Sequence, residues 1–381
     1  MKIAYIGQKG IPKTQGGVEA HVENLALEMV RKGHQVFVYT RPYYTDKKLK
    51  KYQGINLISL PSIKTKHLDA ISHTFLATIH ALFQKYDIIH YHSVGPAILS
   101  FIPRLFSRAK IIGTFHCIDR FHQKWNFLAR IILKLGERAI CKFPHLTITV
   151  SPHIQKYCLE KYQQKTIYIP NGFKIAKNQE TDILKKFNIE SQKYFLVVSR
   201  LIRHKGLHYI IKAFNKLNLP NYKLVIVGND FYNPDYKKEL YAMSATNKNI
   251  IFTGIQTGKN LDKLFTNAKA FILASEDEGL SITLLEALAH KLPAIVSNIE
   301  SNLPFINKDL VYGFENKDIE DLKEKMSQVI KNYSQAQTRA EQAQKYIQTN
   351  FNWPELAEQI NNLYLETKKT KKLKTLFQHQ D

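Results

Sequence analysis

The sequence predicts an α/β protein built as two doubly wound parallel sheets, and three observations predict it. Short runs rich in β-branched residues alternate with segments of helical apolar spacing along the whole chain, the pattern of strands joined by crossover helices. At 381 residues the chain exceeds what one hydrophobic core ordinarily serves. Near its middle, "YIPNGF" (168–173) sets Pro170 beside an Asn-Gly turn signal and runs into the polar "KIAKNQETD". That is a linker composition, and it puts the boundary near residue 175.

In order, the first half offers strands at "KIAYIG" (2–7), "QVFVYT" (35–40), "INLISL" (55–60), "DIIHYH" (87–92), "KIIGTFH" (110–116) and "LTITVS" (146–151). The second offers "YFLVVS" (194–199), "KLVIVG" (223–228), "NIIFTG" (249–254), "AFILAS" (270–275) and "PAIVSN" (293–298). With 44% hydrophobic residues and no unbroken apolar stretch of about 18, the chain reads as soluble and globular. The opening "MKIAYIGQKGIP" enters a strand at once, without the apolar core of a signal peptide, so the expected compartment is the cytosol. Cys117, Cys141 and Cys158 show no CxxC pairing and read as reduced thiols rather than a zinc site or a disulfide framework.

Charge is uneven. Residues 1–175 hold 26 Lys+Arg against 9 Asp+Glu, and 176–381 hold 29 against 23. The basic first half attracts polyanions: nucleic acid, anionic lipid or a phosphorylated substrate.

In open α/β sheets ligands bind beyond the carboxyl ends of the strands. After the first strand, "GQKGIPKTQGGVEAHVENLALEM" places Gly16 and Gly17 ahead of a helix whose Val18, Val22, Leu25 and Met29 fall at helical spacing. Such glycines let backbone N–H groups approach an anion at the helix N-terminus, although the pair also suits a plain turn. The spacing is not GxGxxG, so no dinucleotide fingerprint is present. After 194–199, "SRLIRHKGLHYIIKAF" sets Arg200 and Lys205 before another helix. They form a diphosphate clamp or, read singly, two solvated cations. In "SEDEGLSITLLEALAHKLPAIVS" (275–297), Glu278 and Glu286 stand eight positions apart, a little over two helical turns. Both then sit on the side of the helix start, where the N–H groups of Ser281, Ile282 and Thr283 open towards an anion. One carboxylate can hold a sugar and the other a ribose. Equally, Asp277 and Glu278 can serve the helix dipole while Glu286 is a satisfied buried acid.

"GGVEAHVENLA", "DIIHYH", "GTFH", "IPNGF", "SRLIRHKG", "VGND", "EGLSITLLE" and "FNWPELAEQINNLY" together resemble the retaining GT-B glycosyltransferases of family 4 (glycosyltransferase group 1), in order and over nearly the whole chain. The opening "GQKGIPKTQGG" is similar to a subgroup of bacterial rhamnosyl- and polysaccharide-biosynthesis transferases. The resemblance implies two Rossmann-like domains facing a central cleft. One binds the acceptor over 1–174, rejoined by a closing helix in 353–381, and the other binds the nucleotide-sugar donor over 175–352. It gives the diphosphate to Arg200, Lys205, the Gly16–Gly17 loop and the amides of Ser281, Ile282 and Thr283, the ribose to Glu286, and sugar contacts to His116 and Glu278. Ser281 and Lys291 stand where the family usually has glycine; Ser281 still offers its amide.

The implied reaction moves a hexose or deoxyhexose to a glycan or lipid-linked acceptor of the cell envelope with retained configuration, the leaving phosphate taking the acceptor proton. No protein nucleophile is evident, and preorganised cations and amides would supply most of the catalysis. No cofactor and no metal are expected: "EDE" (276–278) is the nearest imitation of a DxD metal site. Rival readings are a nucleotide-sugar 2-epimerase and a basic nucleic-acid-binding protein. For the second, no RRM, KH or helix-turn-helix signature appears.

In "KWNFLARIILKLGERAICK" (124–142), Arg130, Lys134, Arg138 and Lys142 recur every fourth residue beside an apolar side of Leu128, Ile131, Ile132 and Leu135, with Trp125 and Phe127 at its entrance. This is an ordinary helix with its apolar side in the core, or a salt-sensitive patch for an anionic membrane or acceptor, to which the tail "KKTKKLK" (368–374) adds lysines. The second option expects a peripheral enzyme on the inner face of the plasma membrane.

Overall fold

The computed structural model describes residues 1–14, 16–65, 68–121, 127–173, 181–229 and 234–369. The chain forms two compact units, Met1–Asn171 with the returning helix Trp353–Lys369, and Gly172–Asn352.

The first unit holds β1 (Lys2–Ile6), β2 (Gln35–Thr40), β3 (Lys51–Tyr52), β4 (Ile55–Ser59), β5 (Ile88–His92), β6 (Lys110–Phe115), β7 (Leu146–Thr149) and β8 (Ile167–Tyr168) in one sheet, ordered β3-β4-β2-β1-β5-β6-β7-β8. All neighbours are parallel except β3 and β4. The second holds β9 (Tyr194–Val198), β10 (Lys223–Val227), β11 (Ile250–Gly254), β12 (Ala270–Leu273), β13 (Ala294–Ser297) and β14 (Tyr312–Phe314), ordered β11-β10-β9-β12-β13-β14 and wholly parallel.

Both faces of each sheet are buried, which is why the strands read as continuous apolar runs. In β1, Ile3 and Tyr5 enter one core while Ala4 and Ile6 enter another. In β9, Tyr194 and Leu196 pack on one side and Phe195 and Val197 on the other. This period of two follows from the pleat.

All eleven strand candidates form. Three further strands, β3, β8 and β14, are two or three residues long and lie at or beside sheet edges. Such short segments carry no periodicity to read. The helix Trp353–Lys369 closes the first unit against the helix Gly17–Arg31. Leu356, Ile360 and Tyr364 are buried in the core shared with Val22 and Leu25, the Tyr364 hydroxyl lies 2.6 Å from His90 Nδ1, and Lys368 pairs with Asp87 at 2.8 Å.

In each sheet the direction of winding reverses once, between β1 and β5 and between β9 and β12. These are the switch points where diverging connections leave a crevice at the strand ends.

Candidate active site

In the second unit the loops after β9 and β12 meet at the switch point. β9 is followed by the 3-10 turn Arg203–Lys205 and the helix Leu207–Leu217, with Gly206 between them at φ +67°. A Cβ on Gly206 would lie 1.9 Å from the Ala274 carbonyl oxygen, so only glycine lets the two loops approach this closely. The Glu276 N–H donates to the His204 carbonyl at 2.8 Å and binds the loops together.

That approach brings Lys205 onto Glu278. The two form an ion pair with side chains 16% and 12% exposed, and the Ser275 hydroxyl donates to the same Glu278 oxygen at 2.8 Å. The sequence reading gave the cation to phosphate and the carboxylate to sugar; the structure pairs the two with each other. Glu276 accepts from Tyr209 at 3.2 Å and pairs with Lys317 at 3.1 Å. Arg200 is half-buried, and its guanidinium has no hydrogen bond or ion pair among the described residues. Ser281 caps the helix Ile282–Ala289 through its hydroxyl, which accepts from Leu284 N–H at 3.3 Å. The N–H groups of Ser281, Ile282 and Thr283 find no acceptor among the described residues, so the capped helix still presents unpaired donors at its positive end. Glu286 is half-buried about one turn into that helix. One loop pair thus gathers Arg200, Lys205, Glu278 and a helix N-terminus, a set suited to a diphosphate beside hydroxyl groups.

The first unit differs from expectation at its glycine loop. Gly16 has φ +104° and no side chain caps the helix behind it. The loop's amides, however, are partly used by the chain itself: Lys9 N–H donates to Glu19 at 3.0 Å and Lys13 N–H to Glu23. Glu19 crowds the space over Gly16, so a carboxylate already sits where an anion was expected. Gly17 opens the helix in an exposed position.

His116, just beyond β6, is buried among imidazoles that the sequence reading passed over. His92 Nδ1 and His116 Nε2 lie 3.2 Å apart, and His90 stacks on His92 at 4.2 Å. The His21 ring meets His116 edge-on at 4.7 Å and Trp353 at 5.3 Å, while His21 Nδ1 lies 2.9 Å from Asn171 Oδ1. Burial holds His21 at about 4 against a smaller opposing pull from Asn171. Burial first, then the neighbouring imidazoles, pushes His90, His92 and His116 well below the ordinary range. All four are neutral near pH 7, able to donate and accept hydrogen bonds but not to act as fixed charges. The alternation in "HYH" was the available signal: His90 and His92 fall on one face of β5, and the parallel register that pairs His92 with Thr114 carries His116 to that face too. One nitrogen from each of His21, His92 and His116 lies within 4.8 Å of the others, so the trio has the reach to hold a metal ion.

Arg130, Lys134, Arg138 and Lys142 are all exposed on the helix Phe127–Lys142. Leu128, Ile131, Ile132 and Leu135 are exposed as well, so the core-facing reading of this helix fails over its first half. Only from Gly136 does it press inward, through Ala139, Ile140 and Cys141. Trp125, most of the proposed linker (174–180) and the tail beyond Lys369 lie outside the described residues.

The chain is similar to known proteins over both units. The profile described as Glycosyltransferase Family 4 matches residues 15–177, and that described as Glycosyl transferases group 1 matches 179–346. The O-antigen chain mannosyltransferase C of Escherichia coli is 24% identical over 96% of this chain and 98% of its own. The alpha-monoglucosyldiacylglycerol synthase of Streptococcus pneumoniae is 24% identical over 77% and 70%. Among solved structures, sucrose-phosphate synthase from Thermosynechococcus elongatus superposes with a TM-score of 0.82 at 19% identity over 96% and 98% of the two chains. Anabaena HepE in complex with UDP-glucose superposes at 0.79, also at 19% identity, over 96% and 100%. With one profile on each half of the chain, two α/β units beneath them, and the mannosyltransferase and both solved structures matching over 96% of its length, the chain belongs to the group 1 (family 4) glycosyltransferases of the GT-B fold.

Proposed function

We propose that this glycosyltransferase moves a hexose or deoxyhexose from a nucleoside-diphosphate sugar to a glycan or lipid-linked acceptor in cell-envelope polysaccharide assembly, with retention and without a metal. The observation that carries the reading is the meeting of Arg200, Lys205 and Glu278 with the open amides of Ser281, Ile282 and Thr283 at one switch point. Relatives named as O-antigen mannosyltransferases and as a galactosyltransferase acting on a diphosphoundecaprenol-linked sugar support the acceptor class, and a fold neighbour bound to UDP-glucose supports the donor class.

On donor binding, Lys205 exchanges Glu278 for the diphosphate and Arg200 adds a second cation. Glu278, released, accepts from sugar hydroxyls, and Glu286 accepts from the ribose. As the bond to the anomeric carbon breaks, charge grows on the departing phosphate, where these donors stabilise it. That phosphate takes the acceptor's proton on the same face. The neutral His116 is a sugar contact by the same proposal.

Thermal shift against UDP-, GDP-, ADP- and dTDP-sugars identifies the donor, because a ligand bound only to the folded state raises its stability. NMR of the product with that donor then reads the anomeric configuration. Retention, with turnover unchanged in EDTA, is expected; inversion or formation of a donor epimer without acceptor refutes the reaction. Loss of turnover on chelation, restored by a divalent ion, refutes metal independence and directs attention to His21, His92 and His116.

A further inference from the structure

Of the twenty large hydrophobic side chains exposed among the described residues, nineteen belong to the first unit, Tyr241 being the exception. Thirteen of them fall on three consecutive segments: the helix Asp69–Leu82 with Phe83, the helical stretch 94–106, and the helix Phe127–Lys142 with Phe143. The topology explains why they gather. The connections β4 to β5, β5 to β6 and β6 to β7 all run the same way along the sheet, so right-handed crossovers lay them on one face. The stretch 94–106 packs between the other two. Gly136 lets the third helix approach the first turn of that stretch, since a Cβ there would lie 2.5 Å from the Val94 carbonyl, and the Phe101 and Phe143 rings pack 5.6 Å apart. The most exposed members, Phe83 at 77%, Leu105 at 70%, Phe106 at 73%, Phe127 at 81% and Leu128 at 64%, come from all three segments. Isolated apolar residues on a surface need no explanation, but a continuous face of them marks a partner.

The charge says which partner. Segments 69–83, 94–110 and 127–143 contain two carboxylates, Asp69 and Glu137. Both are buried and paired, Asp69 with Arg41 at 2.6 Å and Glu137 with Arg120 at 3.2 Å. The exposed ionic groups on these segments are cations: Arg104, Arg108, Arg130, Lys134, Arg138 and Lys142. Aromatic and aliphatic groups fringed by Arg and Lys, with no exposed acid, complement a surface that is anionic outside and hydrocarbon beneath. No helix among the described residues is long and apolar enough to cross a membrane.

We infer that this three-helix face docks on an anionic phospholipid bilayer by inserting its apolar side chains into the boundary between headgroups and acyl chains. Attachment then has two components: cations draw the protein to the surface and are screened by salt, whereas insertion is not. This amends the purely salt-sensitive attachment read from the four cations of one helix.

The test is co-sedimentation of the full chain with phosphatidylglycerol–phosphatidylcholine vesicles and with phosphatidylcholine alone, at low salt and about 1 M NaCl, where the Debye length is about 3 Å. The readout needs no turnover, so it stands or fails separately from the proposed reaction. Wild type is expected to bind anionic vesicles and to remain partly bound at high salt. F83S/F106S/L128S, altered at exposed positions and checked for an unchanged Tm, is expected to bind at least about tenfold more weakly and to come off in salt. R130Q/K134Q/R138Q/K142Q is expected to lose the preference for anionic over neutral vesicles. Equal partitioning of wild type and the serine variant overturns the inference. So does a wild type that ignores vesicles but sediments as a dimer which the serine variant dissociates, because the face then belongs to a second copy.

Discussion

Lys205 and Glu278 pair with each other, and that coupling shapes what their substitution does. In the proposed reaction Lys205→Ala removes a donor to developing phosphate charge, and kcat/KM is expected to fall by about 2–4 kcal/mol in transition-state terms. Arg200→Ala should cost a similar amount; near-normal kcat/KM in both variants refutes the clamp. Glu278→Gln keeps the shape but loses the ionic contact, so kcat should fall while thermal-shift affinity for the free nucleoside diphosphate holds or improves, the cation being released. The identity of these residues was legible because each follows a strand in a compact motif. Their pairing was not, since 73 positions separate them and only the sheet order makes them neighbours. The buried histidines were missed for the opposite reason: His90 and His92 lie inside a strand-like run, where side chains are ordinarily read as core.

At the scale of elements, Gly206 decides whether the loops after β9 and β12 can close on each other. With φ +67° and the Ala274 carbonyl 1.9 Å from a would-be Cβ, Gly206→Ala is strained in backbone and in contact. It should cost at least about 2 kcal/mol of stability and lower kcat/KM by displacing Lys205. Gly33→Ala is the control: its φ is +78° but nothing lies within 4 Å, so it should carry only the backbone penalty of about 1 kcal/mol and leave kcat/KM alone. Equal effects of the two on activity, read beside urea unfolding, discard the close approach as the cause. Long strands were legible because both sheet faces are largely buried and each run is mostly apolar. The helix Phe127–Lys142 was legible as amphipathic, but periodicity does not tell an apolar stripe that meets a core from one that meets solvent.

On the scale of the whole molecule, the first unit carries a store of neutral imidazoles. The unfolded chain protonates histidine near pH 6.5, whereas burial holds His21 at about 4 and His73 at about 4, and His90, His92 and His116 lower than usual. The unfolded state therefore binds more protons, and stability should fall as pH drops from about 6.5 through about 4. His21 alone accounts for about 3 kcal/mol over that interval. Urea midpoints at pH 7.5, 6, 5 and 4 measure the slope, and a flat profile down to pH 4 shows these rings to be protonated in the native state. The division into two units also sets an order of synthesis. The second unit is a continuous stretch, Gly172–Asn352, while the first stays open until Trp353, Leu356, Ile360 and Tyr364 arrive. A ribosome finishes the second unit's residues before it delivers the helix that seals the first. During that interval the groove lined by Val22 and Leu25 lacks its cover, making this stretch of translation the one in which a holdase chaperone has an apolar surface to grip.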